Sequence, residues 1–283
     1  MSIVGIISKP RSEAAGEIVT GLLAWLDQHG MGVRLDPESA AYANRSDGFA
    51  RDQVAEGCHL VIVLGGDGTL LSAARAVGGR NVPLLAVNLG SLGFLTSVTV
   101  DELYPQLERA LRGDYTLGER RMLHSELWRS GKRVATYEAL NDVALAKAEI
   151  ARMIELEVHV DGHFMCVYRA DGLVISTPTG STAYSLSAGG PIIFPTMEAL
   201  CLTPICPHTL SHRPVILPNK TVIEVTAHGS NATYLTIDGQ VGELLELGDR
   251  VICRLSEQSI RLIAPPDKSF FDVLREKLQW GGR

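Results

Sequence analysis

The chain has 283 residues, 46% of them hydrophobic and 20% charged, which is enough apolar material for one large or two ordinary domains and not the composition of a disordered chain. A formal net charge of −6 with no block of Lys and Arg argues against a surface built for nucleic acid or an anionic membrane, so anionic ligands have to be handled by local groups. Five widely spaced cysteines (Cys58, Cys166, Cys201, Cys206, Cys253) form no Cys-x-x-Cys pair and read as reduced thiols, and the apolar run at residues 3–7 is too short for a signal segment, so the expected compartment is the cytoplasm.

Residues 2–8 read as a buried strand, and Ala14, Ile18, Leu22 and Leu26 recur at helical spacing up to a stop at Gly30. Residues 60–64 are a second buried strand, 70–77 a helix, 82–87 a third strand, and 101–111 a helix opened by an acidic residue. Strands alternating with helices predict a parallel sheet covered on both faces, whose ligands bind at the carboxyl ends of the strands. Near Tyr115 the period changes. Ile154, Leu156, Val158 and Val160 alternate with Glu155, Glu157 and His159, and Asp161-Gly162 then supplies a hairpin turn before residues 164–168. Further strands are expected at 123–128, 133–137, 222–227, 233–237, 251–255 and 260–263. Residues 270–280 return to a helical pattern, and a lone helix gains little on a closed β domain. The expectation is therefore an α/β N-terminal domain with a parallel sheet, residues 1–115 joined by 266–283, and a mainly antiparallel β C-terminal domain, residues 116–265.

The most informative local feature is Leu60-Val61-Ile62-Val63-Leu64-Gly65-Gly66-Asp67-Gly68-Thr69, a buried strand running into a glycine-rich turn with one carboxylate. Gly65, Gly66 and Gly68 leave the backbone free to take unusual dihedrals and to bring N–H groups close to a phosphate. Asp67 would repel that phosphate unless it holds a cation or takes a proton from an attacking hydroxyl. The other reading of Asp67 is a plain cap on the helix that follows. A second stretch, Asp171 to Ser187, runs from a short strand at 173–176 through a Pro-Thr-Gly turn, after which Ser181 or Thr182 is placed to cap a short helix ending at Gly189-Gly190-Pro191. Its hydroxyls and helix-start amides suit a diphosphate or ribose, although such turns also satisfy their own backbone. Cys201, Cys206, His208 and His212 can be drawn as a zinc site, but Pro204, Pro207 and Pro214 break the segment and the spacing fits no standard site, so no metal-ligating set is expected.

Gly65 to Thr69, Asn88 to Thr96, Asn141-Asp142, Asp171 to Tyr184, Thr203 to Ser211 with Arg213-Pro214, and Asp238-Gly239-Gln240 occur together and in this order. On these motifs, which run from about Ile3 to the C-terminus, the chain resembles the bacterial NAD kinases. Many members carry Asn-Glu where this chain has Asn141-Asp142. The resemblance implies transfer of the terminal phosphoryl group of ATP, with a divalent cation such as Mg²⁺, to the 2′-hydroxyl of the adenosine ribose of NAD, giving NADP. It places Asp67 as general base with Gly68 beside it. The NAD contacts it implies are Asn141, Asp142, Arg152, Arg169, Asp171, Thr182, Ala183, Tyr184, Ser185, Leu186, Ser187 and Gln240. The donor turn is Gly65, Gly66, Gly68 and Thr69. Arg152 and Arg169 also read as solvated strand charges, and Gln240 as a residue that satisfies its own turn. The resemblance, with several strand edges to be covered, implies a homodimer or homotetramer joined through the β domain.

Three other readings compete. A lipid or sugar kinase shares the glycine turn but not the block from Asp171 to Tyr184. A dehydrogenase is disfavoured because the first strand ends in Ser8-Lys9-Pro10-Arg11, with no G-x-G-x-x-G turn. A non-catalytic NAD-binding sensor would have no need of Asp67.

Overall fold

The computed structural model describes residues 2–148, 153–229, 232–265 and 268–280. The chain divides into two compact units, residues 1–119 with 260–283, and residues 120–259.

The first unit alternates strand and helix: β1 (Ile3–Ser8), α1 (Glu13–Gln28), β2 (Gly32–Leu35), α2 (Pro37–Tyr42), α3 (Arg51–Val54), β3 (Leu60–Leu64), α4 (Asp67–Val77), β4 (Pro83–Val87) and α5 (Leu103–Leu111). Its strands lie in the order β2-β1-β3-β4, all parallel. Every residue of β3 and β4 is buried, as expected for strands covered on both faces. The α1 stripe differs from the sequence expectation. The buried positions are Ala15, Val19, Leu22 and Leu26, while Ala14 is exposed. A strict four-residue spacing drifts around a 3.6-residue turn, so the real stripe alternates steps of four and three.

The second unit holds β5 (Thr116–Arg129, from Arg120 on), β6 (Lys132–Ala139), β7 (Asp142–Lys147), β8 (Ile154–Val160), β9 (His163–Ala170), β10 (Gly172–Ser176), a 3₁₀ turn at Thr179–Thr182, α6 (Tyr184–Ser187), β11 (Ala199–Ile205), β12 (Val215–Pro218), β13 (Ile223–His228), β14 (Thr233–Ile237), β15 (Val241–Leu245) and the first part of β16 (Arg250–Ala264). Six strands form one antiparallel sheet in the order β12-β11-β10-β7-β14-β15. A second group runs β16-β13-β8-β9, with β5 on β16 and β6 on β5. Leu145, Leu173, Leu202 and Leu235 from the first sheet share one core with Leu156, Val158, Val225 and Val251 from the second. The β8–β9 hairpin turns at Asp161 and Gly162, whose φ values of 52° and 77° are the left-handed pair that an Asp-Gly hairpin supplies.

The segments 251–255 and 260–263 are one continuous strand rather than two. The polar residues between them stay extended, with the Gln258 amide donating to Ser256 Oγ at 3.0 Å. The last part of β16 belongs to the first unit, where Arg261 and Leu262 pair in parallel with Pro83 and Leu84. There α7 (Phe270–Leu278) starts at a reciprocal capping box between Ser269 and Asp272.

Ile62 is fully buried at the centre of the first unit's sheet, one residue pair from both β1 and β4. Ile62→Ala is expected to lower unfolding stability by about 2–5 kcal/mol in a urea titration, and a loss under ~1 kcal/mol would show that this strand is not packed as described.

Candidate active site

In the first unit, β3 delivers the chain to Gly65, whose amide donates to the carbonyl of Val87 at 3.0 Å, and α4 begins with Gly66 as N-cap and Asp67 in its first turn. None of Gly65, Gly66 and Gly68 takes a positive φ, so the turn does not use glycine for left-handed dihedrals as the sequence suggested. At Gly65 the need is for space. A Cβ on Gly65 would lie 2.2 Å from Thr69 Oγ1, which folds back over the turn.

Asp67 is not a helix cap. Its carboxylate leaves the turn and collects four donors from a loop almost thirty residues on. The Phe94 amide donates to Oδ2 at 2.9 Å, and the amides of Leu95 and Thr96, both at 3.1 Å, and Thr96 Oγ1 at 3.0 Å donate to Oδ1. The arrangement extends a further step outward. Asn88 Nδ2 donates to Thr96 Oγ1 at 2.7 Å, and Asn88 Oδ1 accepts from the Gly90 amide at 2.8 Å. A Cβ on Gly93 would lie 2.1 Å from Asp67 Oδ1, so only glycine lets this loop close on the carboxylate. With three donors on Oδ1 and one on Oδ2, the second oxygen keeps the larger capacity to accept from a ligand.

In the second unit the dipeptide Asn141-Asp142 enters β7 between two sets of hydrogen bonds. On one side Thr177 Oγ1 donates to the Leu140 carbonyl at 2.6 Å and the Thr177 amide to the Asn141 carbonyl at 2.9 Å. Gly180 packs so closely there that a Cβ would lie 2.1 Å from the Asn141 carbonyl oxygen. On the other side Asp238, from the turn between β14 and β15, accepts the amides of Leu140, Asn141 and Asp142 at 3.1, 2.8 and 3.2 Å. Asn141 Oδ1 is buried with no hydrogen-bond partner, as is Ser176 Oγ, on the residue paired with Asp142 across β10 and β7. Buried polar atoms of this kind are uncommon in native proteins and suit groups that await a ligand. Burial, and after it the negative charge of Asp238, pushes the Asp142 carboxyl up to about 7.

The remaining sequence-selected residues fall into three groups. Tyr184 joins the Asp142 patch. Burial, followed by the charges of Asp142, Cys206 and Asp171, raises its phenol, which puts these side chains within electrostatic reach of one another. Asp171 is held by Lys147 Nζ at 2.6 Å, a cation the sequence reading passed over. Thr182 and Ser185 are buried and turned inward. Thr182 Oγ1 donates to the Thr179 carbonyl at 3.2 Å, and Ser185 Oγ shares a hydrogen bond with Thr203 Oγ1 at 2.8 Å. Ala183 and Leu186 are half-buried and Ser187 is exposed. Arg169 is on the surface, paired with Glu155 at 2.9 Å with its side chain 67% exposed, and Gln240 is exposed in the turn that carries Asp238. Arg152 lies outside the described residues.

The expected cap at Ser181 or Thr182 is not made. α6 is one turn long with Ala183 as N-cap and no side-chain cap, while Ser181 Oγ donates to the Pro178 carbonyl and accepts from the Ile193 amide. Here the hydroxyl-rich turn satisfies itself. Asp238, Thr177, Gly93 and Thr96, which hold the site together, were visible only as members of motifs, and Lys147 not at all, because their roles depend on partners distant in sequence.

The sequence model of the ATP-NAD kinase N-terminal domain matches residues 4–115, and that of the ATP-NAD kinase C-terminal domain matches residues 140–264. A protein of Solibacter usitatus named NAD kinase is 56% identical over 99% of this chain and 98% of its own length. One of Koribacter versatilis with the same name is 48% identical over the full length of both. Among solved structures, yeast NADH kinase complexed with NADH superposes with a TM-score of 0.91 at 28% identity, covering 100% of this chain and 89% of that one. An NAD kinase of Archaeoglobus fulgidus in complex with ATP shares the fold at a TM-score of 0.77 and 23% identity, over 98% of each chain. The chain belongs to the ATP-NAD kinase family.

The raised Asp142 carboxyl makes a prediction with a definite sign. The folded chain holds this proton more tightly than the unfolded chain, whose carboxyl titrates near 3.8, so the group's contribution to stability falls as pH rises from there to about 7. Asp142→Asn removes the titration. Its stability relative to the parent should therefore rise between about pH 5 and about pH 8, by roughly 2–3 kcal/mol. Thermal melts of both proteins at the two pH values check this, and a difference independent of pH would contradict it.

Proposed function

We propose that the chain transfers the terminal phosphoryl group of ATP to the 2′-hydroxyl of the adenosine ribose of NAD, giving NADP, with Asp67 as general base. Membership of the ATP-NAD kinase family supports the reaction class, and the NADH held by the yeast relative supports a nicotinamide dinucleotide as acceptor. The single observation that carries the mechanism is the Asp67 carboxylate, fixed by four donors beside the glycine turn with Oδ2 lightly used.

Phosphoryl transfer passes through a loose transition state in which the protein mainly positions groups and spreads charge. A ribose hydroxyl is a poor nucleophile at neutral pH, and a carboxylate that accepts its proton as the new P–O bond forms supplies on the order of 10²- to 10⁴-fold. Asp67 Oδ2 takes that proton. The Gly65-Gly66 turn and the first amides of α4 face the donor phosphates, with Gly68 and Thr69 completing the turn. On the second unit Asn141 and Asp142 bind the acceptor nucleotide, with Arg152, Arg169, Asp171, Thr182, Ala183, Tyr184, Ser185, Leu186, Ser187 and Gln240 as its further contacts; Thr182 and Ser185 contribute through their backbone, since their hydroxyls are engaged internally.

Among the described residues no group of three His, Cys, Asp or Glu side chains forms a cage for an ion. Mg²⁺ carried on ATP would need no such cage, since it keeps its waters and takes phosphate oxygens with one or two carboxylates. Bound in that way on ATP, the cation would supply neutralising charge to the phosphoryl group being transferred.

No described helix is long and apolar enough to cross a membrane. A cytoplasmic setting is supported by the five unpaired cysteines. Association of copies through the β domain is supported by its end strands β9 and β15, which carry the exposed apolar side chains Phe164, Val241 and Leu244. Light scattering should report a dimer or tetramer, and a monomer at working concentration would remove that part of the proposal.

The central assay incubates the protein with NAD, ATP and Mg²⁺ and measures NADP. Asp67→Asn is expected to lose turnover by roughly 10²-fold or more while calorimetric titration shows NAD affinity largely kept, because the near-isosteric amide cannot accept the hydroxyl proton. Turnover near the parent rate would reduce Asp67 to an anchor for the Phe94–Thr96 loop. Asp142→Ala should act in the opposite sense, raising KM for NAD by about ten-fold or more with turnover close to the parent. Collapse of turnover at unchanged NAD affinity would move Asp142 into the chemistry.

A further inference from the structure

Asp238 is absent from the set of ligand contacts, and its local role looks ordinary. It begins the turn between β14 and β15, where Asp238 and Gly239 take φ values of 50° and 63°, left-handed dihedrals that Asp and Gly tolerate. A residue that only shaped this turn would direct its side chain to its own neighbours. Asp238 does not. Its carboxylate accepts three successive amides 96 to 98 positions earlier in the chain, Oδ2 from Leu140 and Oδ1 from Asn141 and Asp142. The connection is reciprocal, since the Asp238 amide donates to the Asp142 carbonyl at 2.9 Å. Asp238 is itself only 8% exposed.

Together with Thr177, which donates to the carbonyls of Leu140 and Asn141, this leaves the backbone of residues 140–142 hydrogen-bonded on both sides. The side chains of Asn141 and Asp142 are left with nothing comparable. Asn141 Oδ1 has no partner. We propose that Asp238 is a positioning residue for the acceptor nucleotide: by gathering the amides of Leu140, Asn141 and Asp142 it aims the Asn141 and Asp142 side chains at NAD. This rests on the reading of Asn141 and Asp142 as NAD contacts.

The groups facing Asp142 are few. Ser176 lies opposite on β10, Asp238 comes from the β14–β15 turn, and the Tyr184 phenol comes from α6, with Asp171 and Cys206 acting on Tyr184 in turn. Asp238 is the one charge that raises the Asp142 carboxyl, second to burial itself. An ionised Asp142 accepts hydrogen bonds from ribose hydroxyls or an adenine amine better than a protonated one. NAD affinity should therefore increase with pH through a midpoint that Asp238 controls.

The test uses the full chain with Asp238→Asn and Asp238→Ser, and Asp142→Ala as reference. Asparagine keeps one oxygen for the Asn141 and Asp142 amides but loses both the charge and the Leu140 bond. KM for NAD is expected to rise about ten-fold, with kcat within about three-fold of the parent and KM for ATP unchanged. The pH midpoint of NAD binding, followed by calorimetry, should move about one unit to the acid side, a shift that general loosening of the fold would not produce. If both Asp238 variants keep the parental KM and midpoint while Asp142→Ala raises KM, this proposal is overturned and the NAD reading stands. If Asp142→Ala leaves KM unchanged, the NAD reading falls and the proposal with it. Should the variants not fold, hydrogen exchange on the parent decides, because rapid exchange of the Leu140, Asn141 and Asp142 amides would show that the clamp does not exist.

Discussion

The candidate site in the first unit depends on one carboxylate meeting one loop. Asp67 is delivered by a fully buried parallel strand, and its oxygens are then spoken for by the backbone of Phe94, Leu95 and Thr96. Charge-assisted bonds of this kind are stronger than neutral ones, and four on one carboxylate fix its position closely. The constraint runs in both directions. The loop takes its shape from Asp67, and glycine is required at Gly93 because any side chain there would occupy the carboxylate's place. Asn88 extends the same logic by holding Thr96, so that Asn88 supports the cradle that Phe94, Leu95 and Thr96 form for one oxygen pair. Catalytic groups work when their rotamers are locked by surroundings, and the proposed base is locked in this way.

The second unit solves a different problem. Two carboxylates, Asp142 and Asp238, are buried close together, and burial, followed by the charge of Asp238, keeps the proton on Asp142 up to about 7. Such an arrangement costs stability at alkaline pH. It is tolerated because Val143 and Leu145, which follow Asp142 on β7, are anchored in a core shared by both sheets. Removing the costly group would make the chain more stable at alkaline pH and, on the proposed function, a poorer binder, the usual relation between a strained site and the scaffold that carries it.

The fold was legible wherever burial imposes a simple period. The strands of the first unit are continuous apolar runs, and β8 shows clean alternation up to its Asp-Gly turn, so both classes of sheet could be read directly. The elements that escaped are those in which another requirement overrides the period. β11 carries Pro204 opposite Leu173, and a proline inside a run argues against a strand unless its neighbours are known. β2 is four residues long and interrupted by Arg34, and α2 and α3 are too short to show a face. The polar residues 256–259 looked like a turn, yet extended pairing carries β16 through them without a break. At the site, residue identity was enough to single out Asp67, while Asn141 and Asp142 came only from the family resemblance. The hydrogen bonds that aim them join positions far apart in the chain, and only the fold reveals that Thr96, Thr177 and Asp238 are the residues that do so.

The central claim, that Asp67 accepts the proton of the ribose 2′-hydroxyl, is tested most directly by an experimental structure of the chain with NAD bound. A general base has to lie within about 2.6–3.2 Å of the oxygen it deprotonates, or one water away. The account predicts Asp67 Oδ2 at that distance from the 2′-oxygen of the adenosine ribose, with the four bonds from the Phe94–Thr96 loop retained. A 2′-oxygen that instead faces another side chain, with Asp67 engaged only by its loop, would contradict it.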